Sequence, residues 1–329
     1  MPLIDSFQRK IEYLRFSVID QCNIRCQYCM PPEQKLWEKQ PNLLTFDEIC
    51  RMVTILASLG VRRVRITGGE PLVRKGVPDL IRRLNDVSDL DEVLLTTNGI
   101  PLPTLARPLR DAGLEKINIH LDTLSAEKFC KITYGGDIRK VLTGIEESQR
   151  VGLQPIKLNA VLQKGINDDE VEDLLRFTAN HGLILRLIEM MPIGPGRELM
   201  PSLYMPVRLI REKLAEKYTL SPTNPHLGGG PAVYYRVKEL NTVIGFISPV
   251  SEPFCGTCNR IRISSDGRFQ DCLAFDGTFS FRDLLRNPLM TDERIAAKVH
   301  WLLSGKAESH DDFQQAADIR TPCMTGIGG

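Results

Sequence analysis

Residues 13–29 read YLRFSVIDQCNIRCQYC, a strand-like run, Tyr13–Ile19, that passes directly into Cys22, Cys26 and Cys29. The cysteine spacing is C-x3-C-x2-C. Three thiolates this close wrap one corner of an iron–sulfur cube, and a cube of four irons needs four ligands. The run supplies three, so one iron is left open to another molecule, as an open position separates catalytic from structural metal sites. The plainer alternatives are a zinc knuckle and buried structural cysteines. Zinc favours paired cysteines with a Cys or His returning soon after, and the nearest histidine here is His120.

Outward from this run, strand-like and helix-like segments alternate through residue 190, the pattern of βα units on a parallel sheet. Val64–Ile66, Glu92–Thr96, Lys116–Leu121, Pro155–Val161 and Leu183–Ile188 read as the next strands. Helices are expected at Val77–Leu84, Leu102–Ala112, Ser125–Ile132, Lys140–Val151 and Asp168–His181. Thr45-Phe46-Asp47-Glu48 has the capping-box pattern, and Phe46, Ile49, Val53 and Leu56 follow at helical spacing. Six such units predict an α/β fold, a partial (βα)6 TIM-type barrel, whose chemistry sits on the loops after the strands. The cysteine run, Gly68-Gly69-Glu70-Pro71 and Thr96-Thr97-Asn98-Gly99 all stand in that position.

After Met191 the character changes, which divides the chain into residues 1–191 and a C-terminal α+β extension, 192–329. Pro192–Gly196 signals a loop, Ser202–Lys217 a helix, and Ser221–Pro231 an exposed Gly/Pro-rich stretch. Short strands are expected at Ala232–Val237 and Thr242–Ile247. A hairpin turning at Asp266-Gly267 joins Ile261–Ser264 to Arg268–Asp271, and Thr291–Leu303 reads as a last helix.

The composition is that of an ordinary globular protein, with 42% hydrophobic and 25% charged residues. A net charge of +1 over 329 residues gives no general attraction to nucleic acid or membrane. The local basic clusters, Arg62-Arg63-Val64-Arg65 and Arg260-Ile261-Arg262, suit a small anionic ligand better than a duplex. No apolar run nears the ~20 residues that span a bilayer. Met1–Lys10 lacks a signal-peptide core, so a cytoplasmic location is expected. Nine cysteines without a secretory signal favour metal ligation over disulfides. Cys50 and Cys130 read as small core residues on helices. Cys323 fits no ligand spacing.

Cys255-Gly256-Thr257-Cys258 and Cys272 form a second set. Alone it suits an incomplete zinc ribbon or a redox dithiol. Beside the first set, a second three-cysteine cluster is the better reading.

The C-x3-C-x2-C run with the aromatic Tyr28 resembles the radical S-adenosylmethionine (SAM) superfamily. The rest of the chain is similar to its molybdenum-cofactor biosynthesis branch, the MoaA-type GTP 3′,8-cyclases. The matching runs are RITGGEPLVR at Arg65–Arg74, TTNG at Thr96–Gly99, INIHLDTL at Ile117–Leu124 and KLNAV at Lys157–Val161. They continue with RLIEMMPIG at Arg186–Gly194, FCGTCNRIRISSDG at Phe254–Gly267 and the final Gly328-Gly329. The resemblance implies two [4Fe–4S] clusters, held by Cys22, Cys26 and Cys29 and by Cys255, Cys258 and Cys272. It implies SAM at Tyr28, Gly69, His120 and Met191, and GTP at Arg15, Arg65, Thr96, Lys157, Arg260, Ile261 and Arg262. Arg260 and Arg262, with the tail Gly328 and Gly329, are the catalytic candidates. A flavodoxin- or ferredoxin-like electron donor and a homodimer are implied too. The family usually has serine where His120 stands. The chain has no G-x4-G-K-[ST], so arginine and lysine side chains must hold the triphosphate. Another two-cluster radical SAM enzyme, such as a peptide maturase, is the nearest rival, although such enzymes carry more C-terminal cysteines. A non-catalytic iron–sulfur sensor would need neither open iron nor the Gly-Gly-Glu-Pro loop.

Overall fold

The computed structural model describes residues 2–30, 42–225, 229–275, 277, 279–309 and 324–327. Its centre is six parallel strands alternating with helices. In chain order these are β1 (Tyr13–Ser17), α1 (Phe46–Ser58), β2 (Arg63–Thr67), α2 (Val77–Asn85), β3 (Glu92–Thr97), α3 (Leu102–Asp111), β4 (Ile117–His120), α4 (Ala126–Thr133), α5 (Ile138–Arg150), β5 (Ile156–Leu162), α6 (Val171–Asn180) and β6 (Ile184–Glu189). Strands β1 to β6 pair in that order, each parallel to the last. The helices lay apolar faces on this sheet: in α1, Ile49, Met52, Val53 and Leu56 are buried. Its capping box forms as the sequence predicts, with Glu48 N–H donating to Thr45 Oγ1 (3.1 Å) and Thr45 N–H to Glu48 Oε2 (2.7 Å).

The remaining elements are α7 (Gly196–Leu203), α8 (Val207–Ala215), β7 (Leu220–Thr223), β8 (Val233–Val237), β9 (Thr242–Ile247), β10 (Arg260–Ile263), β11 (Arg268–Gln270), β12 (Phe279–Ser280), α9 (Arg282–Arg286), α10 (Asp292–Leu303) and α11 (Met324–Ile327). The C-terminal strands enter the same sheet at both sides. Strand β9 pairs parallel with β6, and β10 pairs parallel with β1. The order across the sheet is β12-β11-β10-β1-β2-β3-β4-β5-β6-β9-β8-β7. The partial barrel thus gains a parallel strand on each flank, and antiparallel hairpins beyond carry the extension.

Three expectations change. The helix expected over Ser202–Lys217 is two helices, α7 and α8. Pro206 caps the second with extended backbone, and residues before a proline leave the helical region. Helix α7 also begins at Gly196, inside the expected loop. Residues 221–223 of the expected exposed stretch belong to β7 and pair with β8, while Ser221 and Pro222 are exposed as expected. The hairpin at Asp266-Gly267 forms, with Gly267 at φ +85°, a conformation that favours glycine. Cys50 is half-buried on α1, but Cys130 is exposed, because the buried face of α4 is Phe129, Ile132 and Thr133.

Candidate active site

The strand ends open onto a cavity of about 300 Å³. Cys22, Cys26 and Cys29 line it on one side, with Tyr28, Gly69, His120 and Met191. Arg15, Arg65, Thr96, Arg260 and Arg262 line it too. A second cavity of about 80 Å³ is lined by Cys255, Cys258 and Cys272. Met191, Pro249, Phe254, Arg260, Arg262 and Leu273 face both, so the two spaces share a wall. Among the described residues, no three His, Cys, Asp or Glu are grouped tightly enough to hold a single metal ion. Each cysteine trio lines a cavity.

The first cysteine loop is locked to its neighbours by backbone. Gly69 N–H donates to Ile19 O (2.7 Å) and Glu70 N–H to Gln21 O (2.8 Å). A Cβ on Gly69 would lie 2.3 Å from Gln21 O and 2.4 Å from Asp20 O. Glycine is therefore required here first by the cysteine loop itself, which the loop after β2 clasps. Glu70 is fully buried, and its carboxylate braces its own loop against the end of β3. It accepts from Leu72 N–H (3.0 Å), Thr97 Oγ1 (2.8 Å) and Asn98 N–H (2.6 Å). Burial pushes its carboxyl up to about 7, against those bonds. Asn98 Nδ2 in turn stands 3.8 Å from Cys22 Sγ.

Burial pushes the Cys22 thiol up to about 12, with Glu70 and Cys26 adding to the effect. A thiolate so placed forms against a strongly positive partner, which is what iron provides. The donor set thus fits a cluster.

Tyr28 Oη donates to Asp122 Oδ2 (2.7 Å) and lies 2.6 Å from His120 Nε2, itself 2.9 Å from the same carboxylate oxygen. Burial opposes protonation of His120, but Asp122, with the Cys26 thiol, holds the ring well above its usual range. The other oxygen of Asp122 accepts from Val161 N–H at 2.7 Å. His120 is therefore tied to the cysteine loop's tyrosine.

The basic residues form a row created by register. Arg262 on β10, Arg15 on β1 and Arg65 on β2 are Cα partners across three parallel strands, so they share the interior face. Arg65 Nε donates to Tyr13 Oη (2.5 Å), and its Nη1 to Leu95 O (3.1 Å) and Thr96 Oγ1 (3.3 Å). Burial and then Arg262 hold Arg15 well below its usual range, and burial with Arg260 lowers Arg262 to about 10. Packing cations together at this cost suits a strongly anionic ligand. Lys157 is buried below the lining residues, on the same face of β5 as Asn159 and Val161, and burial, Arg186 and Arg65 lower it to about 7. The Ile261 side chain lies in the core, so only its backbone is available to a ligand.

Arg186 was not singled out from the sequence. It lines the cavity, its Nε donates to Asn159 Oδ1 (2.9 Å), and its buried Nη2 has no partner among the described residues. Its alternation with Leu185 and Leu187 on β6 was the available signal. Asp122 was also passed over. In the second cavity, burial opposes ionisation of Cys258, yet Arg260 and Lys306 hold its thiol below the usual range. Met324 and Thr325 of α11 line the main cavity, while Cys323, Gly328 and Gly329 lie outside the described residues.

Residues 16–178 match the Radical SAM superfamily and residues 183–312 match Molybdenum Cofactor Synthesis C. A protein from Heliobacterium modesticaldum named GTP 3′,8-cyclase is 41% identical over 99% of this chain and 100% of its own length. Proteins of the same name from Pelotomaculum thermopropionicum and Listeria monocytogenes are each 40% identical, over 99% of both chains. Among solved structures, Streptococcus suis SuiB bound to S-adenosylmethionine superposes with a TM-score of 0.62 at 15% identity, covering 86% of this chain and 68% of that one. That likeness is one of fold.

Proposed function

From the premise that this chain belongs to the radical SAM GTP 3′,8-cyclases, we propose how its own residues divide the work. The protein converts GTP to 3′,8-cyclo-7,8-dihydro-GTP, the first step of molybdenum cofactor biosynthesis. It uses SAM and a [4Fe–4S] cluster. When bound, these supply the 5′-deoxyadenosyl radical that takes hydrogen from C3′ of GTP, so that C3′ joins C8 of the guanine.

Cys22, Cys26 and Cys29 hold the SAM cluster, and the Tyr28–His120–Asp122 cluster sets the wall on which SAM rests. Gly69 and Met191 complete that pocket. Cys255, Cys258 and Cys272 would hold a second [4Fe–4S] cluster, and Arg260 and Arg262 beside it would orient the guanine end of GTP. Arg15, Arg65 and Arg262 take the triphosphate with charge-assisted guanidinium bonds, Thr96 steadies Arg65, and Arg186 offers its unpartnered Nη2. Lys157 adds charge from below, and Ile261 contributes backbone only. Arg260 and Arg262 assist the protonation that accompanies the one-electron reduction of the cyclised nucleotide radical, a role supported by their position on the wall common to both cavities. Met30, Ile188, Met190 and Ile193 line the same space and exclude water from it. The tail residues Gly328 and Gly329 contribute to cyclisation in this reading, which rests on the family resemblance. In this division residues 1–191 generate the radical and supply most of the cations for the triphosphate, and residues 192–329 add the second cysteine set with Arg260 and Arg262. An external flavodoxin- or ferredoxin-like protein supplies the electron, and the chain works as a homodimer. Neither nucleic acid nor membrane is a partner in this reading. Among the described residues no helix is long and apolar enough to cross a membrane.

The observation that carries this assignment is the shared wall between two cysteine-lined cavities, with arginines facing both. Anaerobic incubation with SAM, GTP and a reductant is expected to give the cyclised nucleotide. Release of 5′-deoxyadenosine with GTP unchanged would exclude GTP as the substrate. Iron analysis is expected near eight per chain, the sum for two cubes, and about four would remove the second cluster.

A further inference from the structure

The second cavity is gripped by two buried cations that the reaction does not use. Arg9, from the segment before β1, is 8% exposed. Its Nε pairs with Asp5 Oδ2 at 2.5 Å, and its terminal nitrogens donate to Cys255 O (2.9 Å), Glu308 O (2.6 Å) and Ala307 O (2.6 Å). Lys306, just beyond α10, is 3% exposed. Its Nζ donates to Arg260 O (3.3 Å) and to Asp271 O. Both side chains line the cavity.

The acceptors lie on all three thiol-bearing stretches: Cys255 itself, the residue before Cys272, and the strand that starts two residues after Cys258. The two cations therefore fasten, from opposite ends of the chain, the backbone that carries every ligand. Their charges are not equivalent. Arg9 has a carboxylate hydrogen-bond partner, whereas the hydrogen bonds of Lys306 go to neutral carbonyls, and the nearby Asp271 carboxyl, which feels both cations, is held above its usual range by burial and so offsets the Lys306 charge only in part. A cube held by three thiolates carries a net charge of about −1 when oxidised and about −2 after taking one electron. A fixed buried cation stabilises the second state more than the first.

We propose that Arg9 and Lys306 are positioning residues for the second cluster, and that the Lys306 ammonium raises its reduction potential. This rests on the two-cluster reading. It bears on the reaction because the second cluster adjoins the arginines that receive GTP.

The test uses the full-length chain with Cys22→Ala, Cys26→Ala and Cys29→Ala, so that only the second cluster can form. After anaerobic reconstitution, iron is counted and the midpoint potential is read by a titration followed by electron paramagnetic resonance. About four irons are expected. A protein without iron would overturn the two-cluster reading, and with it this proposal, before any other variant is made. Given iron, Lys306→Met is expected to move the midpoint to a more negative value and Lys306→Arg to hold it near the parent. Iron lost in Lys306→Met but kept in Lys306→Arg would also support the need for a cation. An unchanged midpoint in iron-loaded Lys306→Met would refute the potential-raising role. Equal iron loss in both variants, with circular dichroism unchanged, would show a packing role only. Arg9→Met is expected to lose iron faster to a chelator, and an unchanged rate would remove Arg9 from the proposal.

Discussion

GTP binding should be accompanied by proton uptake at Lys157. The side chain is buried, and Arg186 and Arg65 stand close enough to disfavour its charge, with Lys116 adding to them and Glu92 opposing. Together these lower it from 10.5 to about 7. At pH 8 only ~10% of a lysine with that pKa is protonated. Bringing a triphosphate to the Arg15–Arg65–Arg262 row reverses the local field and returns the lysine toward its ordinary range. Binding at pH 8 should then take up ~0.9 proton per GTP. The γ-phosphate is already ionised at that pH and contributes none. Affinity should fall about tenfold per pH unit above 8 until the bound-state pKa is reached. For the free protein the sign is the reverse of an ion-paired lysine. Its folded pKa is depressed, so the unfolded chain holds the extra proton between about 7 and 10.5, and this group makes stability rise with pH across that window. Calorimetry of GTP binding in two buffers of different ionisation enthalpy measures the uptake directly. Lys157→Met should abolish it. Buffer-independent heats in the unaltered protein at pH 8 would refute the reasoning, and would mean that the phosphates stay too far from Lys157 to change its field.

Cys26→Ser should end SAM cleavage while about four irons remain, since a hydroxyl is a poor replacement for a thiolate on iron; normal 5′-deoxyadenosine release would contradict this. Cys258→Ser should do the opposite, sparing SAM cleavage and stopping cyclisation, and equal loss of both would argue for a single shared cluster. His120→Ser should leave SAM affinity within about tenfold, roughly 1.4 kcal/mol, because Tyr28 keeps its bond to Asp122; a hundredfold loss measured by equilibrium binding would assign His120 a direct part. Deleting Gly328 and Gly329 should keep both clusters and strongly reduce cyclisation, and wild-type turnover would show the tail to be dispensable.

The cysteines, the six βα units and the loop positions of the motifs were legible because each is local: a ligand spacing, a hydrophobic period, a capping box. The arginine row was legible only as residues, since Arg262, Arg15 and Arg65 become neighbours through strand pairing that periodicity does not encode. The same limit hid the entry of β9 and β10 into the barrel sheet. Asp122 lay inside a quoted motif, but its importance comes from what Tyr28 and Val161 bring to it. Gly69 was legible as a member of the Gly-Gly-Glu-Pro loop, although the atoms it approaches most tightly are the carbonyls of Asp20 and Gln21. Pro206 was visible in the sequence as a break within Ser202–Lys217, and α8 begins directly after it.

The pairing of β10 with β1 has a consequence for synthesis. Arg9 meets Cys255 across 246 positions of chain, and β1 meets β10 over a similar gap. A ribosome releases the first strand long before its outer neighbour exists. Until then β1 is a bare edge, open to strays, and contacts of such sequence separation form slowly. A chain stopped at residue 191 would keep both β1 and β6 as open edges. Cluster loading that precedes the arrival of β10 would meet an unfinished chamber. Iron insertion after the last strands dock is the order of events that this topology favours.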